Sequence, residues 1–160
     1  PDQMTLLRCI YAAGNTPMIF NGVLPATVDE LTEDARRVWV RYADLFKSFI
    51  RPILGTCLVY HHDPVNATGG VESSPWFAME FISVDRRKGW ALVIRMWPAG
   101  SDVYDLTPKG LEAESTYRVT YDNSGTDHVV EGATLMADGL SIAIPADTES
   151  ELVLFEAVGD

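Results

Sequence analysis

The stretch TYRVTYDNSGTDHVVE, residues 116–131, decides the fold class. In its first half Tyr117, Val119 and Tyr121 alternate with Arg118, Thr120 and Asp122, the two-residue period of a strand with one core face and one outward face. DNSGTD follows, a loop dense in turn formers, and a second strand-like run occupies 127–131, so the segment predicts an antiparallel hairpin. LSIAIP repeats the alternation with Leu140, Ile142 and Ile144. Working outward, strands are expected at 57–62, 76–84, 90–97, 115–122, 127–131, 133–136, 139–144 and 151–158, with DRRKG forming a second hairpin loop. Short strands at regular spacing, with no helical period between them, argue for a mainly-β chain: an antiparallel sandwich of two sheets.

Ahead of about residue 55 the pattern is helical. From Gln3 to Ala13 apolar residues occupy almost the whole circumference of a helix, which suits burial on most sides, and Gly14-Asn15 stops it. Thr27 and Glu30 have the capping-box form, and Asp29, Glu33 and Asp34 put negative charge at a helix start. Leu31, Ala35, Val38, Tyr42, Leu45 and Phe49 then form one stripe, while Trp39, Ala43, Phe46 and Ile50 form a second beside it. A face that wide requires cover on more than one side. Pro52 is expected to end the helix. Between the two helices lies the short apolar run Pro17 to Phe20.

The chain has 160 residues, 47% of them hydrophobic, enough for one sizeable core. Its 23 acids against 12 Lys and Arg give a net charge of -11, which opposes a nucleic-acid partner; Arg36-Arg37 and Arg86-Arg87-Lys88 are too small to form a polyanion footprint. No apolar stretch has the length of a membrane span. Cys9 and Cys57 are far apart without metal-type spacing, and read as small buried hydrophobes.

The motifs of a self-contained active site do not occur: there is no nucleophile elbow, zinc-protease motif or phosphate loop. His61, His62 and Asp63 sit together, but neighbouring strand residues point to opposite faces, so a solvated strand end is expected there rather than a metal site. DNSGTD offers oxygen ligands without the spacing of a calcium loop and reads as a polar hairpin tip. Asn66-Ala67-Thr68 fits the N-glycosylation pattern, which has meaning only in a secretory pathway. Trp76, Trp90, Trp97 and Tyr104 are candidates for a sugar-stacking platform, with core filling as the ordinary alternative. No metal and no cofactor is expected.

GNTPMIFNGVLPATVDELTEDARRVW, residues 14–39, resembles the end of the catalytic barrel in α-galactosidase-like glycoside hydrolases of clan D, families 27 and 36. MTLLRCIYAAGN ahead of it and YADLFKSFIRPIL behind it look like the flanking helices. SPWFAMEFISVDRRKGWALVIRMW, KGLEAESTYRVTYD and GATLMADGLSIAIP are similar to the C-terminal antiparallel domain of those enzymes. The resemblance implies that residues 1–53 are the last strand and helix units of a (β/α)8 barrel, and that 54–160 are the β-sandwich packed on it. Retaining members of the clan use two aspartates on earlier barrel strands, as nucleophile and as acid and base. No acid of this chain matches those motifs, so the chain is expected to be the C-terminal portion of such an enzyme and inactive by itself. By the barrel rule Phe20, Asn21 and Gly22, at the end of the last strand, become the expected sugar-pocket wall. Carbohydrate in the parent enzyme, the remainder of the barrel and a second copy of the chain are the expected partners. The alternative is a non-catalytic sandwich that binds carbohydrate or another protein.

Overall fold

The computed structural model describes residues 3–13, 31–62, 75–96, 101–145 and 147–159. Within them one six-stranded antiparallel sheet forms the centre, with spatial order β1-β2-β3-β8-β5-β6. Its strands are β1 (Leu58–His61), β2 (Trp76–Ile82), β3 (Lys88–Arg95), β5 (Thr116–Tyr121), β6 (Asp127–Glu131) and β8 (Ser150–Val158). A second sheet pairs β4 (Val103–Leu106) with β7 (Leu140–Ala143). Both expected hairpins form: β2 pairs β3 across DRRKG, and β5 pairs β6 across the DNSGTD turn.

Alternation along the central strands assigns each face. Ala78, Ile82, Ala91, Val93, Tyr117, Val119, Val153 and Phe155 turn toward the small sheet, where Tyr104, Leu106, Leu140 and Ile142 complete one core. The intervening residues Phe81, Trp90, Leu92, Ile94 and Leu152 turn the other way, onto the helices. The sandwich is therefore unequal, six strands against two, and the large sheet is buried on both sides. This explains why β3 reads as a continuous apolar run: a strand covered on both faces has no solvent side to mark with polar residues.

Helix α1 (Gln3–Tyr11) and helix α2 (Glu33–Leu45) form the back layer. Leu7 and Ala12 of the first segment share one buried cluster with Tyr42, Phe49 and Ile50 of the second. Trp90 fixes α1 to the sheet: its indole stacks on Phe81 with centroids 4.8 Å apart and donates to the Ala12 carbonyl at 2.6 Å. The observed N-cap of α2 is Thr32, whose hydroxyl accepts from the Ala35 amide at 3.2 Å. Thr27, Glu30 and the expected strand from Pro17 to Phe20 lie outside the described residues.

Three expectations are corrected. Pro52 does not end the helix, which runs through a π-turn at Phe46–Ile50 into α3 (Arg51–Leu54). The wide turn, in which the Arg51 amide reaches back to the Phe46 carbonyl, puts Pro52 in the first turn of a new α segment, where proline is tolerated. Residues 133–136 are not a strand but part of helix α4 (Gly132–Asp138). Ala, Leu and Met are strong helix formers, and Gly139 closes the helix at φ 74°. Finally, β4 has no counterpart among the expected strands; its four residues alternate exposed and buried as they pair with β7.

Gly132 is fixed by space. A Cβ there would fall inside contact distance of the Glu112 carbonyl oxygen, and the Gly132 amide donates to the Ser115 carbonyl at 2.7 Å. Gly132→Ala is expected to destabilise the chain by about 1–3 kcal/mol. Urea unfolding followed by circular dichroism measures this, and an unchanged midpoint would contradict the close approach.

Candidate functional site

The strongest constellation of polar groups joins the back helices to the sheet, and it centres on Arg8. α1 is apolar on most sides, so an arginine in its middle is carried into the interior, where its charge and donors need partners. Arg8 is 1% exposed. Its Nη1 donates to the Ser150 carbonyl at 2.6 Å and to Ser150 Oγ at 2.9 Å. Its Nη2 donates to Asp122 Oδ2 and Asn123 Oδ1, both at 2.7 Å, and lies 3.5 Å from Glu151 Oε1. Only Nε of the guanidinium has no partner among the described residues.

The other members bring in α2. The Tyr42 hydroxyl donates to Asp122 Oδ2 at 2.5 Å, and Arg41 pairs with Oδ1 of the same carboxylate. Two guanidinium groups thus face two carboxylates, and the formal charges sum to zero. Glu151 also accepts the amides of Asn123 at 2.9 Å and of Leu152 at 2.8 Å. Thr5 shares a 2.6 Å hydrogen bond with Ser150.

Environment sets the protonation. Burial raises the Glu151 pKa, partly opposed by its two amide donors and by Arg8. Burial also works against charge on Arg8, but Tyr42, Asp122 and Glu151 outweigh it and hold the guanidinium above its ordinary value. Tyr42 is pushed up, mainly by burial, and stays a neutral donor. Both carboxylates are engaged as acceptors. The arrangement clamps three segments together and offers no free acid or base for proton transfer.

This cluster corrects the reading of Asp122 as an outward-facing residue at a hairpin tip. Its side chain is 5% exposed, because α1 and α2 cover that face of the sheet; Asn123, Ser124, Gly125 and Thr126 are exposed as a tip should be. The histidine pair is corrected in the same way. His61 is exposed, but His62 is buried, with Nε2 2.8 Å from Oε2 of Glu80. Glu80 is fully buried and accepts the amides of Lys109 at 2.8 Å and Gly110 at 2.9 Å, so it pins the loop after β4 to β2. No group of three or more metal-ligating side chains occurs among the described residues.

Of the candidate platform aromatics, Trp90 is fully buried in the core. Trp76 and Tyr104 pack on each other with centroids 5.6 Å apart, and the Arg95 guanidinium covers the Trp76 ring at 5.3 Å. They do not form a joint open platform. Cys9 and Cys57 are half-buried and burial raises both thiol pKa values, so they behave as packing residues. Phe20, Asn21, Gly22, Asp63, Asn66, Ala67, Thr68 and Trp97 lie outside the described residues.

A six-plus-two-stranded antiparallel domain with helices locked across its back defines the class of domain, and comparison with known proteins gives the family. Residues 76–155, half of the chain, match the glycosyl hydrolase family 36 C-terminal domain. The chain belongs to that family. No curated protein sequence matches it. Among solved structures, a variant of the family 36 α-galactosidase AgaA from Geobacillus stearothermophilus in complex with raffinose aligns over 82% of this chain and 17% of its own, at 20% identity and a TM-score of 0.66. The α-galactosidase from Lactobacillus brevis aligns over 84% of this chain and 18% of its own, at 17% identity and a TM-score of 0.66. The galactosidase domain of the α-galactosidase-sucrose kinase AgaSK aligns over 81% and 17%, at 16% identity and 0.63. At these identities the likeness establishes the fold. The chain spans less than a fifth of each of these structures.

Arg8→Met is expected to cost about 3–5 kcal/mol, since it removes the one guanidinium beside the buried Glu151 and one of the two beside Asp122. Guanidinium unfolding checks this, and a loss below 1 kcal/mol, roughly the worth of a surface pair, would show the cluster to be solvated. The raised Glu151 pKa adds a pH signature. The unfolded state binds the Glu151 proton less tightly than the folded one, so its contribution to stability is present below the ordinary glutamate pKa and is lost as pH rises through the folded value. Glu151→Gln therefore gains stability relative to the parent chain as pH rises from below the ordinary glutamate pKa through the raised folded value, as read from the difference in unfolding midpoints; a pH-independent difference would contradict the shift.

Proposed function

We propose that the chain is the C-terminal portion of an α-galactosidase-like glycoside hydrolase acting on O-glycosidic bonds of carbohydrates, and that its β domain supports a catalytic barrel. In this reading residues 1–53 are the closing units of that barrel and 54–160 the supporting sandwich. The catalytic aspartates belong to barrel strands outside this sequence, and Phe20, Asn21 and Gly22 form part of the wall of the sugar pocket.

The observation that carries the reading is the state of the back helices. They are locked to the sheet by a fully buried guanidinium, yet Met4, Leu6, Cys9 and Tyr11 of α1 and Val38, Trp39, Leu45 and Phe46 of the second helical segment are only partly buried. An autonomous sandwich has no use for two apolar helices fixed in register and left half covered. A barrel has: its outer helices are packed on strands within and on neighbouring helices at each side. Family membership supports the same reading, as do solved relatives described as α-galactosidases.

Two measurements test it. The isolated chain should not hydrolyse an aryl α-galactoside; turnover that co-purifies with it through successive columns would overturn the division of labour. The half-covered helical face should drive concentration-dependent self-association in sedimentation velocity, and Trp39→Glu should weaken it. A parent chain that stays monomeric at high concentration would remove the main support for a missing barrel contact.

A further inference from the structure

A groove of about 370 Å³ runs between the β5–β6 turn and the free side of β7. It is lined by Tyr121, Asn123, Ser124, Ser141, Thr148 and Glu151, together with small apolar surface from Ala143 and Pro145. Its volume falls at the lower end of the range of small-molecule sites. One residue in it is unusual: Tyr121 is half-buried, yet its phenol makes no side-chain hydrogen bond among the described residues. Its hydroxyl is not a sealed-off orphan but reaches the groove surface, where it can donate to a ligand.

The remaining groups restrict the ligand. The hydroxyls of Ser124, Ser141 and Thr148 already have partners, in Thr126, Asp105 and the Pro145 carbonyl, but each hydroxyl oxygen keeps room to accept. Glu151 lies in the wall, Asp105 is exposed and accepts from Ser141, and exposed Asp147 precedes Thr148 in sequence, so an anion meets a negative rim. Burial and the Glu151 carboxylate raise the Tyr121 phenol, which keeps it a neutral donor. The ring of Tyr121 stacks on His128 with centroids 5.5 Å apart, which holds its orientation. A neutral molecule with several hydroxyls and an apolar C–H face meets all these conditions, because it donates to the rim oxygens and accepts from the phenol.

We propose that this groove is an accessory saccharide-binding subsite of the β domain, in which a neutral sugar ring packs beside Tyr121 and hydrogen-bonds to the Tyr121 phenol and the Ser124, Ser141 and Thr148 hydroxyls. None of its lining residues is Phe20, Asn21 or Gly22, and it does not depend on the chain being part of a barrel enzyme. The groove shares Asn123 and Glu151 with the Arg8 cluster.

The test is titration of the isotopically labelled chain with raffinose, with galacturonic acid and galactosamine as anionic and cationic counterparts. Raffinose should give saturable NMR shifts confined to the 121–126 and 141–151 segments, and galacturonic acid should give weaker ones. Ser141→Trp, which fills the groove from an exposed position, should weaken raffinose binding about tenfold or more. Tyr121→Phe, which removes one oxygen, should weaken it less while the amide spectrum stays folded. The absence of saturable shifts in the parent chain overturns the proposal, as do shifts unaffected by both substitutions, or binding of a charged sugar alone. An inactive chain that binds raffinose leaves the barrel reading intact, and a barrel portion that restores turnover while the groove stays empty defeats only this inference.

Discussion

The buried guanidinium of Arg8 is the constraint on which the arrangement of layers depends. Apolar contact between helices and sheet is tolerant of small sliding, since one aliphatic surface packs against another in several registers. Hydrogen bonds are not. Arg8 reaches the carbonyl and hydroxyl of Ser150, the carboxylate of Asp122 and the amide oxygen of Asn123 at 2.6–2.9 Å, and these belong to the start of β8 and the end of β5. A buried ion cluster contributes little net stability beyond an apolar core of the same volume, but any displacement that leaves one charge unmatched is severely penalised. The cluster therefore selects one placement of α1 and α2 over the large sheet.

How much of this was legible follows from what each signal depends on. The β5–β6 and β2–β3 hairpins and the alternation of 116–121 and 139–144 are local properties and agree with the structure; Asp122 departs from the pattern because α1 and α2 cover its face. The expected strand at 133–136 is a helix because Ala133, Thr134, Leu135 and Met136 fit either period, and the seven residues of α4 make barely two turns to decide between them. The course of the chain through Pro52 could not be foreseen, since the compensating π-turn leaves no residue signature of its own. Arg8 and Glu80 are a different kind of miss. Each is a single charge inside an otherwise apolar element, LLRCIY and FAMEFI, and that isolation is itself a signal that the charge is buried and paired. Which of the 23 acids accepts from Arg8 is a question of tertiary contact that no spacing along the chain answers.

Function is less legible than fold for a physical reason. In the proposed reading of 14–39 as a barrel end the chemistry sits on other strands, and the polar clusters of the described residues are largely occupied with one another. What the described region offers is mechanical: a sheet covered on both faces, with helices held at fixed register and partly open to a further layer.

The π-turn at Phe46–Ile50 has a geometric consequence of its own. Fitting one residue more than an α-helical turn, it sets back the angular phase of everything beyond it by about 100°, the rotation of one residue. A stripe drawn with a single period from Leu31 therefore ceases to describe one face past Leu45, although Phe49 and Ile50 are both buried. The turn behaves as a one-residue phase shifter, and the direction in which the chain leaves Gly55 for β1 is set by that single extra peptide unit.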